Sequence, residues 1–342
     1  MSWGGGKRLV LAVELERQNT IYFADPEIVQ KAQSNNDPYL AGIIFRLCFK
    51  GSGNSIYIGS NIRFRKNVYI DIKGNNNTLL LERNITIDND TKFEFIGNDN
   101  FANVCENCIF SSSSKLVFKR NNNYLYIGPN TKLGPGSIVD FMGVNGLAYF
   151  CGDTSVNINS LIGSDNIVFW GWRFTSGINY ELITERENII IGSDCMLSQN
   201  VYMRNGNGHA IYDAESHRRI CRDKSIIVSD HVWLGRNVKL LTGAQIGYGT
   251  LIGTAGLVSG KKVPNNCIAA GIPVKVIREN ILWTRSGVGG GNKARVELFE
   301  FYTEPDSKPK MIGCENLLKI DSIDSEISSK DKFKLIQNIL DG

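Results

Sequence analysis

The chain has 342 residues, of which 42% are hydrophobic and 21% are charged, and its formal net charge is +4. This composition is typical of a globular protein with a large core and excludes a wholly disordered chain. The near balance of charge, with no run of lysines and arginines, argues against nucleic-acid binding, and the absence of a stretch of 18 apolar residues argues against an integral membrane segment.

The N-terminal residues 1–50 precede the repetitive part of the sequence and are predicted to form a small cap, with a possible helix near residues 26–34. The first apolar run is not followed by a cleavage site, so we expect no signal peptide. Eight scattered cysteines favour reduced thiols and hence a cytoplasmic protein. Cys105 and Cys108 form a CxxC pair, but no second pair stands at zinc spacing, so we expect no metal.

A six-residue repeat begins after residue 50. It is most regular near its C-terminal end, where an aliphatic residue recurs at every sixth position: Val228, Leu234, Leu240, Ile246, Ile252 and Val258. Four residues after the first five of these lie small or β-branched residues: Val232, Val238, Ala244, Thr250 and Gly256. Shorter runs with the same spacing start at Ile58, Leu81, Ile127 and Ile191.

This period of six fits neither an amphipathic helix, which repeats about every 3.6 residues, nor an alternating strand. It is typical of a coil of three short strands joined by tight corners and stacked as a parallel β-helix, with the aliphatic residues inside. Asparagines supply corners with positive φ, which we predict at Asn61, Asn67, Asn84, Asn89 and Asn237. We therefore predict an all-β fold with a parallel β-helix over residues 51–278, and an ordinary β-sandwich with chance spacing is the alternative.

The repeat is interrupted in three places, which we expect to be loops that leave the coil: residues 141–160, 170–188 and 204–225. After the repeat, residues 270–278 are predicted to be an exit strand and residues 279–283 the start of a helix. Residues 279–342 form a C-terminal extension, in which moderate helical periodicity over residues 321–340 predicts a helix.

Several motifs in the last third of the repeat carry a family resemblance. Residues 207–213 read Asn-Gly-His-Ala-Ile-Tyr-Asp, residues 226–235 read Ile-Ile-Val-Ser-Asp-His-Val-Trp-Leu-Gly, and residues 270–273 read Ala-Gly-Ile-Pro. In this order they make residues 190–283 resemble the left-handed β-helix, hexapeptide-repeat acyltransferases, above all those that O-acetylate bacterial capsular and other surface polysaccharides, polysialic acid included. The last coil, residues 252–264, is one residue longer than that family's usual form.

The resemblance implies a left-handed β-helix, which has the shape of a three-walled prism. It further implies a homotrimer with its sites in the grooves between the prisms of neighbouring subunits. It also implies an O-acetyltransferase that moves acetyl from acetyl-CoA to a hydroxyl of a polysaccharide acceptor. The hydroxyl would attack directly within a ternary complex, without an acyl-enzyme.

The candidate general base is a histidine, because an imidazole suits proton removal from an attacking hydroxyl near neutral pH. The sequence has three: His209, His217 and His231. His209 lies where the hexads stop, beside a glycine, which favours an exposed catalytic side chain over a core one. We expect His217 to be a solvent-exposed loop residue and His231, at a coil corner, to be structural.

Trp233 is the second candidate catalytic residue and a candidate for contact with coenzyme A. It holds the last place in its hexad, where a side chain points outward, and its indole N–H can donate to the thioester or the leaving sulfur. Packing between subunits is the alternative. Further candidates for coenzyme A binding are basic residues of the final coils and small residues that leave room for the pantetheine arm: Arg236, Gly253, Thr254, Ala255, Lys261, Lys262, Lys275 and Arg278. For each single cation, a solvated face is the alternative.

The candidates for acceptor binding are aromatic, basic and amide side chains: Trp172, Arg173, Tyr202, Arg204 and Asn207. Aromatic rings stack on sugar faces, and arginines pair with carboxylates such as those of sialic or uronic acids. Trp172 and Arg173 belong to the expected loop at residues 170–188, together with Trp170 and Tyr180. Core or inter-subunit packing explains the aromatic residues equally well.

Other functions remain open on the sequence. The same prism could serve as an N- or O-acetyltransferase for a small or nucleotide-linked sugar, or as a non-catalytic β-helix scaffold. A zinc hydratase of the γ-carbonic-anhydrase type would need two histidines five residues apart, whereas the spacings here are 8 and 14. His209 followed by Trp233 and a basic terminal coil favours the acyltransferase over the scaffold.

Overall fold

A computed structural model describes residues 11–15, 18–24, 45–286, 301–302 and 310–342 of the chain. In these residues almost every regular element is a short β-strand, and the strands form three sheets in which successive turns of one coil lie side by side. The predicted fold class, an all-β parallel β-helix with a helical C-terminal extension, is confirmed. The predicted helix near residues 26–34 lies outside the described residues.

The three walls of the coil are called sheets A, B and C. Within the described residues, sheet A consists of the strands Leu11–Leu15, Asn19–Phe23, Ser55–Ile58, Thr78–Leu81, Phe101–Val104, Tyr124–Ile127, Leu147–Phe150, Ile167–Trp170, Ile189–Ile191, Ile226–Val228, Gln245–Ile246 and Lys262–Val263. Sheet B consists of Phe45–Phe49, Val68–Ile72, Lys92–Phe95, Lys115–Phe118, Ile138–Phe141, Ile158–Ile162, Tyr180–Ile183, Tyr202–Arg204, Lys239–Leu241 and Leu257–Val258. Sheet C consists of Arg63–Phe64, Thr86–Ile87, Ile109–Phe110, Lys132–Leu133, Ser155–Val156, Thr175–Ser176, Met196–Leu197, Trp233–Leu234, Leu251–Ile252, Ile268–Gly271 and Val274–Arg278.

The turns of the coil differ in length along the chain. The first turns take 23 residues, as in the hydrogen bonding of Asn77 to Asn54, and the middle turns take 20 to 22. Only after residue 226 does a turn take the 18 residues that three hexads predict. The final turn takes 17. This final turn is one residue shorter than the turns before it, because the step from Val258 to Val263 is five residues instead of six. The extra residue expected relative to the family's usual form stays a prediction.

The hexad residues build the interior of the coil. The six aliphatic side chains from Val228 to Val258 are all buried, and so are the small residues four places after them. Aromatic rings fill the wider turns upstream, where Phe95, Phe118 and Phe141 stack at centroid distances of 4.6 and 4.8 Å. The residues that the six-residue period predicts to be internal therefore lie in one continuous core.

The predicted corners are confirmed at four of five positions. Asn61, Asn67, Asn84 and Asn237 have φ between 55° and 60°, a conformation that asparagine tolerates better than most residues. The prediction for Asn89 is wrong by one residue, because Asp90 takes the left-handed position there, with φ 60°.

A ladder of buried asparagines joins consecutive turns at the corner before sheet A. The side chain of Asn77 donates to Oδ1 of Asn54 at 3.2 Å, and that of Asn100 donates to Oδ1 of Asn77 at 3.0 Å. These amides are buried and cannot bond to water, and each instead forms a hydrogen bond with the amide of the next turn. The turns approach closely beside this ladder, where a Cβ on Gly97 would lie 2.1 Å from the carbonyl oxygen of Arg120.

Two of the three expected loops are instead walls of the coil. Residues 141–160 and 170–188 contribute strands to all three sheets. Their hexad spacing is lost because the turns there take 20 to 22 residues, although the strands still pair. Trp170 and Tyr180 are accordingly buried in the core. The third interruption does leave the coil between Arg204 and Ile226.

The described ends of the chain also pack on the prism. Asn19–Phe23, within the predicted cap, already pairs with Ser55–Ile58 of sheet A. Residues 310–342 lie on the outer face of sheet A as two helices, α1 (Cys314–Asp321) and α2 (Ser329–Asp341). No helix in the described residues is long and apolar enough to cross a membrane.

The predicted helical start at residues 279–283 is wrong. These residues follow the strand Val274–Arg278 without helical structure. These residues contact the prism instead: the N–H of Ile281 donates to the carbonyl oxygen of Asn266, and the ring of Trp283 stacks on that of His231.

Candidate active site

The excursion from the coil is an arm, residues 205–225, that leaves the corner between sheets B and A after the strand Tyr202–Arg204. Its two legs are paired, because Tyr212 and Arg219 form an antiparallel bridge. Nearer the prism, Nδ2 of Asn207 donates to Sγ of Cys221 across the legs. The sequence therefore folds this segment into a narrow hairpin that projects from the prism.

The tip of the arm is organised by one carboxylate. Asp213 accepts hydrogen bonds from the backbone N–H and the hydroxyl of Ser216, at 2.7 and 2.8 Å. These bonds stabilise the ionised form and lower the pKa of Asp213. His217, at the same turn, is exposed as expected.

His209 lies on the outgoing leg of the arm, and its side chain is exposed. Beside it, Gly208 has φ +72° and lies against the ion pair of Arg204 with Glu185, whose Nη2–Oε1 distance is 2.7 Å. Among the described residues, His209 has no hydrogen-bond partner. Its imidazole is thus open to a ligand, while the neighbouring ion pair holds the base of the arm.

Trp233 lies on the outer face of sheet C, since its neighbour Leu234 fills the core. The indole is half-buried, and its Nε1–H donates to Oγ of Ser198 at 3.3 Å. Its ring centroid is 5.8 Å from that of Trp283. Trp233 therefore points outward, as predicted, and its ring is contacted by Ser198 and by Trp283.

The residues predicted to bind coenzyme A divide into two groups. On sheet C and at its corner with sheet B lie most of them: Trp233, Arg236, Gly253, Thr254, Ala255, Lys275 and Arg278. Successive turns meet there through the N–H of Ala255, which donates to the carbonyl oxygen of Arg236 at 2.8 Å. Lys275 and Arg278 are exposed on the strand that ends sheet C. This group presents cations beside small residues and an indole.

Lys261 and Lys262 lie elsewhere, where the chain turns from sheet B into sheet A. Lys261 donates from Nζ to the carbonyl oxygen of Val274 at 3.1 Å. Lys262 lines a cavity of about 470 Å³ together with Glu187 and Asp321. Burial and the nearby Asp321 raise the pKa of Glu187. These two lysines are therefore on the side of the prism from which the arm leaves.

His209 and Trp233 belong to opposite sides of the prism. In a coil with three walls, the corner between sheets A and B lies across the core from sheet C. The arm leaves that corner, whereas Trp233 stands on the outer face of sheet C. No contact joins the two residues within the described chain.

The residues predicted to bind an acceptor are divided in the same way. Tyr202 and Arg204 lie on the outer face of sheet B at the base of the arm, on either side of the buried Met203, and Asn207 follows them in the chain. Trp172 lies at the corner between sheets A and C, where it packs against the C-terminal extension and Nζ of Lys310 is 4.7 Å from its ring centroid. Arg173 follows it and faces Asp194, with an Nε–Oδ1 distance of 3.6 Å.

Comparison with curated proteins shows what this chain is similar to. It is 40% identical over 119 residues to a polysialic acid O-acetyltransferase of Escherichia coli O1:K1, an alignment that covers 35% of this chain and 38% of that protein. It is 34% identical over 113 residues to the polysialic acid O-acetyltransferase of Neisseria meningitidis, covering 33% and 53% of the two chains. About a third of the chain is thus similar to two polysialic acid O-acetyltransferases. The resemblance predicted from the sequence is thereby confirmed.

The chain spans only about half of these O-acetyltransferase relatives, or less. A solved structure, that of the polySia-specific acetyltransferase NeuO, aligns with 75% of this chain and 97% of its own, at 27% identity and a TM-score of 0.45. No protein-family model matches the chain.

The sequence reasoning missed a buried network next to Trp233. Nδ1 of His231 is 2.7 Å from Oδ2 of Asp194, and Nε2 is 3.1 Å from the carbonyl oxygen of Trp283. A carboxylate–imidazole pair is common in general-base sites, but here both ring nitrogens face protein acceptors. His231 is therefore occupied, in contrast to His209. The only sequence signal was the position of Trp283 at the end of the family resemblance.

Proposed function

We propose that this chain is an acetyl-CoA-dependent O-acetyltransferase whose acceptor is a hydroxyl of a bacterial capsular or surface polysaccharide. The observation that carries the proposal is the exposed imidazole of His209 on the arm, in a chain related to polysialic acid O-acetyltransferases. Of the three histidines, His231 is engaged at both nitrogens and His217 lies in the turn at the tip of the arm. His209 is thus the residue best suited to act as the base.

In this proposal His209 takes the proton from the acceptor hydroxyl as its oxygen bonds to the thioester carbon. Collapse of the tetrahedral intermediate breaks the carbon–sulfur bond, and the imidazolium returns the proton to the departing thiolate. The N–H of Trp233 is a suitable donor to the thioester or the sulfur, because its present partner is only the hydroxyl of Ser198 at 3.3 Å.

The residues of sheet C fit coenzyme A as co-substrate. Gly253, Thr254 and Ala255 carry little or no side chain at a corner, so an extended pantetheine arm can approach the backbone. Lys275 and Arg278 supply exposed cations for phosphate groups at the end of the same sheet. Arg236 adds a third exposed cation near Ala255.

The acceptor is proposed to lie along the base of the arm. Tyr202 offers an aromatic face there, and Arg204 and Asn207 offer hydrogen-bond donors that suit a sugar carboxylate or hydroxyls. Arg204 is paired with Glu185, so an acidic sugar must compete with that carboxylate for the guanidinium. Trp172 and Arg173 stand at another corner, and in this proposal they contact the acceptor only if a second copy supplies them.

The site is proposed to form between copies of the chain in a homotrimer. His209 leaves the corner opposite sheet C, and Trp233 stands on sheet C itself. An arm from one copy that lies along sheet C of the next unites the two residues. Exposed apolar residues on the arm, including Tyr212 with 61% of its surface exposed, favour such a contact.

The proposal is tested by His209→Ala, with His217→Ala on the same arm as the matched control. Thiol release from acetyl-CoA is measured against a panel of acidic and neutral bacterial polysaccharides and small or nucleotide-linked sugars. We expect kcat of His209→Ala to fall by roughly 10²–10⁴-fold because the proton acceptor is lost, with coenzyme A affinity unchanged.

Activity close to wild type in His209→Ala would show that another group is the base. Turnover only with small or nucleotide-linked sugars would replace the polysaccharide as acceptor. A wild-type chain that neither binds coenzyme A nor turns over would refute the enzyme and leave a β-helix scaffold.

A further inference from the structure

A short segment after the last strand crosses the prism beside Trp233. This strap, residues 281–286, passes over the corner between sheets A and C. Trp283 points inward with 8% of its surface exposed, whereas its neighbour Leu282 is 66% exposed. The ring of Trp283 is 5.8 Å from that of Trp233, at an angle of 46°, which is a normal distance for two aromatic rings in contact.

The strap is joined to the corner by reciprocal contacts between Trp283 and His231. The two rings stack with centroids 4.1 Å apart and planes within 9°. Nε1–H of Trp283 donates to the carbonyl oxygen of His231 at 3.2 Å, and Nε2 of His231 is 3.1 Å from the carbonyl oxygen of Trp283. Trp283 therefore has one position, determined by three separate contacts with a single residue of the coil.

A second anchor lies two residues further along the strap. Nη1 of Arg285 donates to the carbonyl oxygen of Asp194 at 3.1 Å, and Nη2 donates to the hydroxyl of Thr175. The Asp194 carboxylate in turn lies 2.7 Å from Nδ1 of His231. The strap is thus tied to three successive turns of the coil, through Thr175, Asp194 and His231.

We propose that Trp283 is a positioning residue for Trp233 and thereby for acetyl-CoA, an inference that rests on the function proposed above. On the outer face of sheet C, Trp233 is fixed by one hydrogen bond, to Ser198, and by the ring of Trp283. Removal of that ring leaves the hydrogen bond to Ser198 and the flanking residues Met196 and Leu251, and it opens space into which the indole can move. The indole must then be ordered again each time the co-substrate binds, which costs affinity.

The experiment compares Trp283→Leu, which removes the aromatic ring but keeps apolar volume, with Trp283→Phe, which keeps a ring to stack on His231. Leu282→Ala, on the solvent side of the same strap, is the matched control. We expect Trp283→Leu to raise the KM for acetyl-CoA about tenfold while kcat and the KM for the acceptor change little. Trp283→Phe and Leu282→Ala are expected to stay within about twofold of wild type.

The double variant Trp233→Ala/Trp283→Leu separates positioning from general destabilisation. If Trp283 acts through Trp233, its loss adds nothing once Trp233 is gone, so the KM of the double variant equals that of Trp233→Ala. Additive effects, or an unchanged KM in Trp283→Leu, would overturn the inference while leaving the acetyltransferase intact. A wild-type chain that does not bind coenzyme A would instead refute the proposed function.

A measurement on the wild-type chain covers the case in which Trp283→Leu does not fold. Coenzyme A is added, and amide hydrogen exchange is followed in peptides from residues 279–286. We expect slower exchange in the strap when coenzyme A is bound, since Trp283 contacts the residue that receives it. Protection of sheet C without protection of the strap would overturn the inference.

Discussion

Lys332 is a lysine whose side chain is completely buried. It lies in the first turn of α2, and its Nζ donates to the carbonyl oxygen of Asn145 at 3.0 Å. Burial lowers the pKa of Lys332 to about 8, although Asp165 and Asp324 act in the opposite direction. Docking of α2 on the prism therefore disfavours a charged Lys332.

The shift makes stability depend on pH. Between a folded pKa of about 8 and the unperturbed value near 10.5, the unfolded chain binds more protons than the folded chain. The free energy of unfolding is therefore expected to rise with pH across this window and to be independent of Lys332 below it. We expect Lys332→Met to remove this rise when the unfolding midpoint in urea is measured from pH 7 to pH 10.

The control for the lysine experiment is Lys334→Met, two residues along the same helix. Lys334 is exposed and forms an ion pair with Asp331, so its substitution is expected to leave the pH dependence intact. Parallel curves for the wild type and Lys332→Met would contradict the assignment to Lys332.

At the scale of elements, α2 is held by aromatic packing on the outer face of sheet A. Phe333 is buried and stacks on Tyr124 at 4.6 Å, and it also contacts Tyr126 and Tyr149. We expect Phe333→Ala to destabilise the docked helix by about 3–5 kcal/mol, since a large buried ring is replaced by a cavity. The change is measured by hydrogen exchange of α2 in the full-length chain.

Leu335→Ala, on the same helix, is the control for the ring. Leu335 is 41% exposed, so its truncation is expected to change the free energy of opening of α2 by no more than about 0.5 kcal/mol. Equal effects of the two substitutions would mean that the rings on sheet A do not hold the helix.

The elements also show where a periodic pattern predicts structure and where it stops doing so. Hexads from Val228 to Val258 fold as predicted, because each turn there takes 18 residues, or 17 at the end. The prediction of loops at residues 141–160 and 170–188 is wrong, because the turns there take 20 to 22 residues and shift the apolar positions out of the six-residue spacing. Pairing between strands tolerates this change in turn length, whereas a search for fixed spacing does not.

At the scale of the whole molecule, the three walls of the prism have different neighbours. The C-terminal extension covers sheet A, so its strands Leu147–Phe150 and Ile167–Trp170 are buried on both faces. Within the described part of the chain, the arm and the last strand of sheet C present exposed apolar side chains, among them Tyr212 and Ile277. The proposed trimer therefore places the arm of one copy on sheet C of the next, away from α1 and α2.

The assembly is checked by size-exclusion chromatography with light scattering. We expect a mass three times the 38.0 kDa of one chain. Two substitutions address the two sides of the proposed contact: Tyr212→Asp on the exposed arm and Ile277→Asp at the exposed end of sheet C. Each is expected to reduce that mass if the arm of one copy lies on sheet C of the next. A wild-type monomer with full activity would contradict a site shared between copies, because His209 and Trp233 then could not meet.

The sequence by itself determined the coil: the buried aliphatic positions, the small residues beside them, four corners with positive φ and the exposed setting of His209. These features depend on residues close together in the chain, where spacing and conformational preference are sufficient. Only the tertiary structure decided which residues surround Trp233 and what covers sheet A. The contact of His231 with Trp283 spans 52 residues and that of Lys332 with Asn145 spans 187. Contacts at such separations arise when the ends of the chain pack on a finished prism, and no local period encodes them.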